Sequence, residues 1–262
     1  MVAFAAMENL REKKQRGEGI TALTAYDYPT ARLLDEAGLD IILVGDSLGM
    51  VVLGYEDTTE VTLEEMLHHT RAVARGVKRA LLVADMPIHT YKTASAAVKT
   101  ARALVKAGAQ AVKLEGGASH VAQIEAIVAA GIPVMGHIGM LPQSVRIEGG
   151  YHLKGRTETE AKQLLRDGRA VEEAGAFAVV LEIVAAETAR QITEALTIPT
   201  IGIGSGESCD GQILVTHDLI GMFPWFTPKF VRPEADVATE IRKAAAAYIE
   251  RTHAHRRLNA EV

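Results

Sequence analysis

Asp46, Asp85 and Glu182 each close a short apolar run, in Ile-Ile-Leu-Val-Gly-Asp, Leu-Leu-Val-Ala-Asp and Val-Val-Leu-Glu. Glu115 and His137 hold the same relative place in Val-Lys-Leu-Glu and Val-Met-Gly-His. An isolated carboxylate after a strand is most often a helix N-cap or a solvated loop residue. Five ionisable groups at the ends of five apolar runs need another account, because carboxylates crowded together repel one another and are costly to desolvate. A cation removes that conflict, and an all-oxygen ligand set suits a hard divalent ion, which points to magnesium over zinc. Lys113 lies two residues before Glu115, so in a strand the pair shares one face while Val112 and Leu114 take the other. Buried in that position, Lys113 requires an anion beside it. The chemistry open to such a set is metal-assisted enolisation. The cation draws charge from a carbonyl while a carboxylate removes the neighbouring proton.

The elements that must position these residues follow from hydrophobic period. Apolar runs recur at residues 20–26, 41–47, 80–87, 111–116, 133–139, 178–184, 199–206 and, less regularly, 212–218. Most are followed by segments of helical period, clearest at 62–75, 95–107, 159–174 and 185–196, and Gly38, Gly108 and Gly175 stand where helices would end. Strands apolar on both faces that alternate with helices imply a parallel sheet covered by helices. Eight such units predict a (β/α)8 TIM barrel, with residues 1–262 as a single domain. An open doubly wound sheet is the structural alternative, since periodicity does not show closure. In a barrel the carboxyl ends of the strands carry the active site, where all five groups would gather. The charged segment 8–16 reads as an amphipathic helix before the first strand, and the tail from Pro233 as a last helix with a frayed basic end at 253–257.

Composition narrows the partners. The chain has 262 residues, 48% hydrophobic, with a net charge of −5, one Trp and five Phe. It therefore offers neither a basic stripe nor a stacking platform for nucleic acid. No apolar run approaches the roughly 18 residues that a membrane span needs, and the first residues do not read as a secretory signal. Cys209 is the only cysteine, which excludes an internal disulfide and a thiolate metal cage and favours a reducing, cytoplasmic setting. Its place in a loop makes a weak case for a nucleophile. The glycines of Gly202-Ile203-Gly204-Ser205-Gly206 alternate within a strand and lack the spacing of a dinucleotide-binding turn. The eight histidines other than His137 show no ligand spacing.

Several ordered motifs carry a family resemblance. Thr24-Ala25-Tyr26-Asp27-Tyr28, Val44-Gly45-Asp46-Ser47-Leu48-Gly49-Met50, Lys113-Leu114-Glu115-Gly116-Gly117 and Gly136-His137-Ile138-Gly139 resemble ketopantoate hydroxymethyltransferases. Leu141-Pro142-Gln143-Ser144, Gly149-Gly150-Tyr151, Asp210-Gly211-Gln212 and Pro228-Lys229-Phe230 continue the match in order, over residues 20 to about 232. The resemblance implies a barrel enzyme that moves a hydroxymethyl group from 5,10-methylenetetrahydrofolate to 3-methyl-2-oxobutanoate. The product is 2-dehydropantoate, on the route to pantothenate. It further implies magnesium held by Asp46 and Asp85 with Glu115 close by, and substrate contacts from Asp46, Ser47, Asp85, Lys113 and His137. Glu182 is implied as the proton acceptor, and a homo-oligomer, often a decamer, as the assembly. Thr59-Glu60 stands where Leu-Pro is more usual and Ser205 where Ala is common, and the first departure bears on a loop over the site. The rival readings are a carbon–carbon lyase of the phosphoenolpyruvate mutase and isocitrate lyase type, and a barrel kept only for binding.

Overall fold

The computed structural model describes residues 2–260, without the side chains of residues 2, 3 and 255–260. Eight parallel strands close into a barrel in chain order: β1 (Ile20–Thr24), β2 (Ile41–Val44), β3 (Leu81–Asp85), β4 (Ala111–Lys113), β5 (Val134–Gly139), β6 (Ala178–Glu182), β7 (Thr200–Ile203) and β8 (Gly211–Leu214). The helices are α1 (Val2–Arg16), α2 (Tyr28–Ala37), α3 (Leu63–Gly76), α4 (Ala94–Lys106), α5 (Val121–Ala129), α6 (Val145–Glu148), α7 (Glu158–Glu173), α8 (Ala186–Ala195), α9 (Thr216–Leu219) and α10 (Val237–Ala260). β8 pairs with β1, which closes the ring and excludes the open sheet.

Period-2 alternation divides the apolar residues into two layers. Ile41, Leu43, Leu81, Val83, Ala111, Met135, Ala178 and Val180 form one buried cluster inside the barrel. Their neighbours Ile42, Val44, Leu82, Ala84, Val112, Val134, Val179 and Leu181 pack in a second cluster with Met66, Val73, Leu104 and Ile192 from the surrounding helices. Leu10 of α1, 1% exposed, belongs to the inner cluster. Lys13 Nζ donates to Asp40 Oδ1 at 2.5 Å and Lys14 Nζ to Asp210 Oδ2 at 2.7 Å, on residues that directly precede β2 and β8. These bonds fix α1 across the amino-terminal end of the strands, where it acts as a plug.

The strands are shorter than the apolar runs, because pairing stops where the chain turns into the loops that follow. The run expected at 212–218 divides into β8 and α9. α5, whose sequence is apolar on most faces, gives little helical contrast and was not among the expected helices. Gly38 is the left-handed C-cap of α2 at φ 91°, a conformation that costs glycine least. α3 opens with a capping box between Thr62 and Glu65, and loss of such a cap costs about 1 kcal/mol.

The residues from Val215 onward form a compact unit of their own. There Glu234 N donates to Leu219 O at 2.7 Å and Ala238 N to Gly221 O at 3.1 Å, which ties the start of α10 to the end of α9. α10 stays helical through the basic end expected to fray. The side chains from His255 on lie outside the described residues.

Candidate active site

The carboxyl ends of β3, β4, β5 and β6 continue the inner columns of the barrel, so chemistry-bearing side chains follow apolar ones on the same face. Asp85 follows Leu81 and Val83, and Lys113 follows Ala111. His137 follows Met135, and Glu182 follows Ala178 and Val180. Past Lys113 the chain stays close to β5, with Leu114 N donating to Met135 O at 3.3 Å and Gly116 N to His137 O at 2.9 Å. Glu115 thus keeps the inward side, as alternation with Lys113 predicts, and Leu114 joins the outer layer.

Asp46 reaches the mouth by another route. With Ile41 and Leu43 inside, strict alternation would send residue 46 outward. A turn intervenes, with Leu48 N donating to Gly45 O and Gly49 N to Asp46 O, and a single π-helical turn follows at Gly49–Leu53. Such turns are rare and concentrate at functional sites. The result buries Asp46 at 4% exposure. A side chain at Gly49 would put its Cβ 2.6 Å from Val61 Cγ2, so only glycine fits there.

These residues converge. Lys113 Nζ lies 2.5 Å from Asp85 Oδ1, and Asp46 N donates to Asp85 Oδ2 at 3.0 Å. His137 stands between two carboxylates, with Nε2 3.1 Å from Glu182 Oε2 and Nδ1 3.7 Å from Glu115 Oε1. Ser47 Oγ and Tyr26 OH lie 2.8 Å apart. Two residues that the sequence reading did not place in the site complete it. Gln143 is buried where Pro142–Ser144 makes a short 3-10 turn. Its backbone N donates to Glu115 Oε2 at 3.0 Å, and its amide nitrogen donates to Asp46 Oδ2 at 2.8 Å and to Met86 O at 3.0 Å. Tyr91 OH donates to Gln143 Oε1 at 2.5 Å.

Charge is unbalanced in this cluster. Asp46, Asp85, Glu115 and Glu182 face one buried lysine. Burial and then Asp85 raise Asp46 above the usual carboxylate range. Burial and then Asp46 likewise raise Glu115 well above the usual range. Burial pushes Glu182 up to about 8 against the opposing charge of Lys113. For Lys113 burial acts downward, but Asp85, Asp46 and Glu115 outweigh it and hold the ammonium above its usual range. Burial, reinforced by Lys113, keeps His137 neutral. Glu115 Oε1 has no hydrogen-bond partner, and Asp85 Oδ1 is held by its ion pair alone.

Among the described residues, no three His, Cys, Asp or Glu side chains form a set that could hold a metal unaided. Magnesium needs no such cage, because it takes one or two carboxylates and fills its octahedron with water and substrate oxygens. The adjacent carboxylates of Asp46 and Asp85 fit that demand, as does the surplus of negative charge around them.

The backbone after Glu182 is strained. Ile183 has φ 47°, which is unusual for a β-branched residue. The turn is braced from three sides. Val184 N donates to Ser205 Oγ at 2.9 Å while that hydroxyl donates to Leu181 O at 2.7 Å, and Lys154 N donates to Ile183 O at 2.9 Å. Met140 N donates to Glu182 O at 2.8 Å. Cys209 lies two residues before β8, at the opposite end of the barrel, and burial pushes its thiol up. In the loop 57–60, Arg146 pairs with Asp57 at 2.6 Å and Glu60 at 2.8 Å.

A closed parallel barrel with buried carboxylates and one lysine at the carboxyl ends of its strands is the architecture of a (β/α)8-barrel enzyme. Residues 5–256 match the family described as Ketopantoate hydroxymethyltransferase, and the chain belongs to it. It is 55% identical over 242 residues to the 3-methyl-2-oxobutanoate hydroxymethyltransferase of Clostridium novyi (strain NT), covering 92% of this chain and 88% of that one. It is 56% identical over 241 residues to the enzyme of the same name from Acetivibrio thermocellus, covering 91% and 85%. Among solved structures, phosphoenolpyruvate phosphomutase from Streptomyces platensis subsp. rosaceus aligns with a TM-score of 0.62 at 20% identity over 81% of this chain and 82% of that one. 2,3-Dimethylmalate lyase, a member of the PEP mutase/isocitrate lyase superfamily, aligns at 0.60 and 19% identity over 95% and 88%. At such identities the likeness is one of fold.

Proposed function

We propose that this chain transfers a hydroxymethyl group from 5,10-methylenetetrahydrofolate to 3-methyl-2-oxobutanoate, giving 2-dehydropantoate for pantothenate synthesis. The observation that carries this reading is the position of Glu182. It is a carboxylate with a raised affinity for protons, 14% exposed, separated by His137 from the rest of the acidic cluster. A base of that strength, close to neutral, is suited to taking a proton from carbon next to a carbonyl.

Asp46 and Asp85 would hold magnesium, with Glu115 beside it. Magnesium bound there would supply Lewis-acid stabilisation to the enolate's developing charge. Lys113 balances the negative charge of the substrate carboxylate, and Ser47 and His137 line the acid's place. Glu182 takes the C3 proton, with the neutral ring of His137 beside it, Nε2 3.1 Å from Glu182 Oε2. The enolate carbon then attacks the methylene carbon of the folate. Both carbon–nitrogen bonds of that methylene break in the transfer: water supplies the hydroxyl of the product, and the two protons set free, one from water and one from C3 by way of Glu182, go to the nitrogens of the departing tetrahydrofolate. The packed inner cluster beneath excludes water from below and keeps the two reactants in register.

The test is exchange of the C3 hydrogen of 3-methyl-2-oxobutanoate with deuterated water in the presence of magnesium. The wild type is expected to exchange without folate, a chelator to stop it, and Glu182→Gln to abolish it. A protein that neither exchanges nor forms product refutes the reading. Cleavage of a carbon–carbon bond in its place would move the chain to the lyase class.

A further inference from the structure

Gln143 does more than line the site, and its hydrogen bonds say what it controls. Its amide has two N–H donors and one acceptor oxygen, and all are committed: the nitrogen to Asp46 Oδ2 at 2.8 Å and Met86 O at 3.0 Å, the oxygen to Tyr91 OH at 2.5 Å. Rotating the amide by half a turn would set its oxygen against a carboxylate and a carbonyl, so one orientation is enforced. The backbone N–H of the same residue holds Glu115 Oε2 at 3.0 Å. One neutral residue therefore occupies one oxygen of each of two acidic neighbours.

We propose that Gln143 is a positioning residue that sets the metal preference of this centre. With Oδ2 accepting from Gln143, one of its lone pairs is spent and two-oxygen ligation of a cation by Asp46 is disfavoured. One-oxygen carboxylate ligation suits the tight octahedron of magnesium. Calcium takes six to eight oxygens and accepts two from one carboxylate. Tyr91 is the lock on this arrangement, because its hydroxyl fixes which end of the amide faces Asp46. The inference rests on the metal-dependent reading of the site, and concerns a residue that neither accepts the substrate proton nor ligates the metal.

The experiment is direct titration of magnesium and of calcium into the metal-stripped protein by calorimetry, for the wild type, Gln143→Leu and Tyr91→Phe. The wild type is expected to prefer magnesium. Loss of a partner that orients a metal ligand costs roughly 10–100-fold in affinity. Gln143→Leu is therefore expected to bind magnesium at least about tenfold more weakly, while calcium binding holds or tightens, so that the ratio of the two constants falls. Tyr91→Phe, which leaves every carboxylate contact in place, is expected to move the ratio in the same direction by less and carries the test should Gln143→Leu not fold. A general loosening of the site would weaken both ions alike and leave the ratio unchanged. That outcome overturns the proposal while leaving the transferase reading intact. Failure of the wild type to bind magnesium at all overturns both.

Discussion

Replacing Glu182 by Gln should remove activity and at the same time make the metal-free protein more stable, by an amount that depends on pH. Burial raises the Glu182 carboxyl from 4.5 to about 8. Because the folded state holds this proton more tightly than the unfolded chain, the group favours folding below pH 4.5, and that advantage is lost as pH climbs to 8. At about 1.4 kcal/mol for each tenfold change in proton affinity, the cost at pH 7 is roughly 3 kcal/mol by linkage. Glutamine keeps the shape, carries no charge and escapes this cost. For a chain of this length a kilocalorie shifts the melting temperature by about 2–4 °C, so Glu182→Gln should melt several degrees above the wild type at pH 7.5. The two should coincide near pH 4.5. The measurement is thermal unfolding in chelator across that range, paired with deuterium exchange at C3, which the variant should lose by at least about a hundredfold. A difference in melting temperature that does not change with pH, or a variant less stable than the wild type at pH 7.5, would refute the account of Glu182 as a buried base at odds with its surroundings.

Two further outcomes test the surroundings of the base and the metal. Magnesium at a hundred times its dissociation constant should stabilise the wild type by about 2.7 kcal/mol, and Asp46→Asn should lose most of this rise in a thermal-shift assay. Gly139→Ala should lower both stability and activity. Gly139 has φ 100°, and an added Cβ would lie 2.4 Å from Glu182 O. Overpacking of this kind costs about 1–3 kcal/mol, and here it would also displace Glu182, the proposed base, effects that chemical denaturation and the exchange rate would report separately.

The sequence reading reached much of this site because its residues obey a simple rule. Lys113 and Glu115 sit two apart in a strand, Asp85 and Glu182 extend columns of inward apolar residues, and a barrel collects such strand ends at one mouth. Asp46 belongs to the same group for a different reason, since alternation would send it outward and only the turn at Gly45 and the π-helical turn after it bring it back. That backbone choice left no mark in hydrophobic period. Gln143 was not legible as a site residue at all. It is uncharged, lies in a loop, and reaches Asp46 across 97 positions of chain. Its motif signalled kinship without showing what the amide would hold. The end of the eighth run failed for a local reason, since residues 216–219 form helix where the apolar pattern read as strand.

The plug formed by α1 has a consequence for traffic. With Leu10 and the inner cluster filling the barrel below, the charged residues at the carboxyl ends of the strands stand on a packed floor. Under the proposed function, a small acid seated against Lys113 would lie beneath the bulkier donor that approaches its C3. Under that function binding is expected to be ordered, acid first and folate second, which product-inhibition patterns would test.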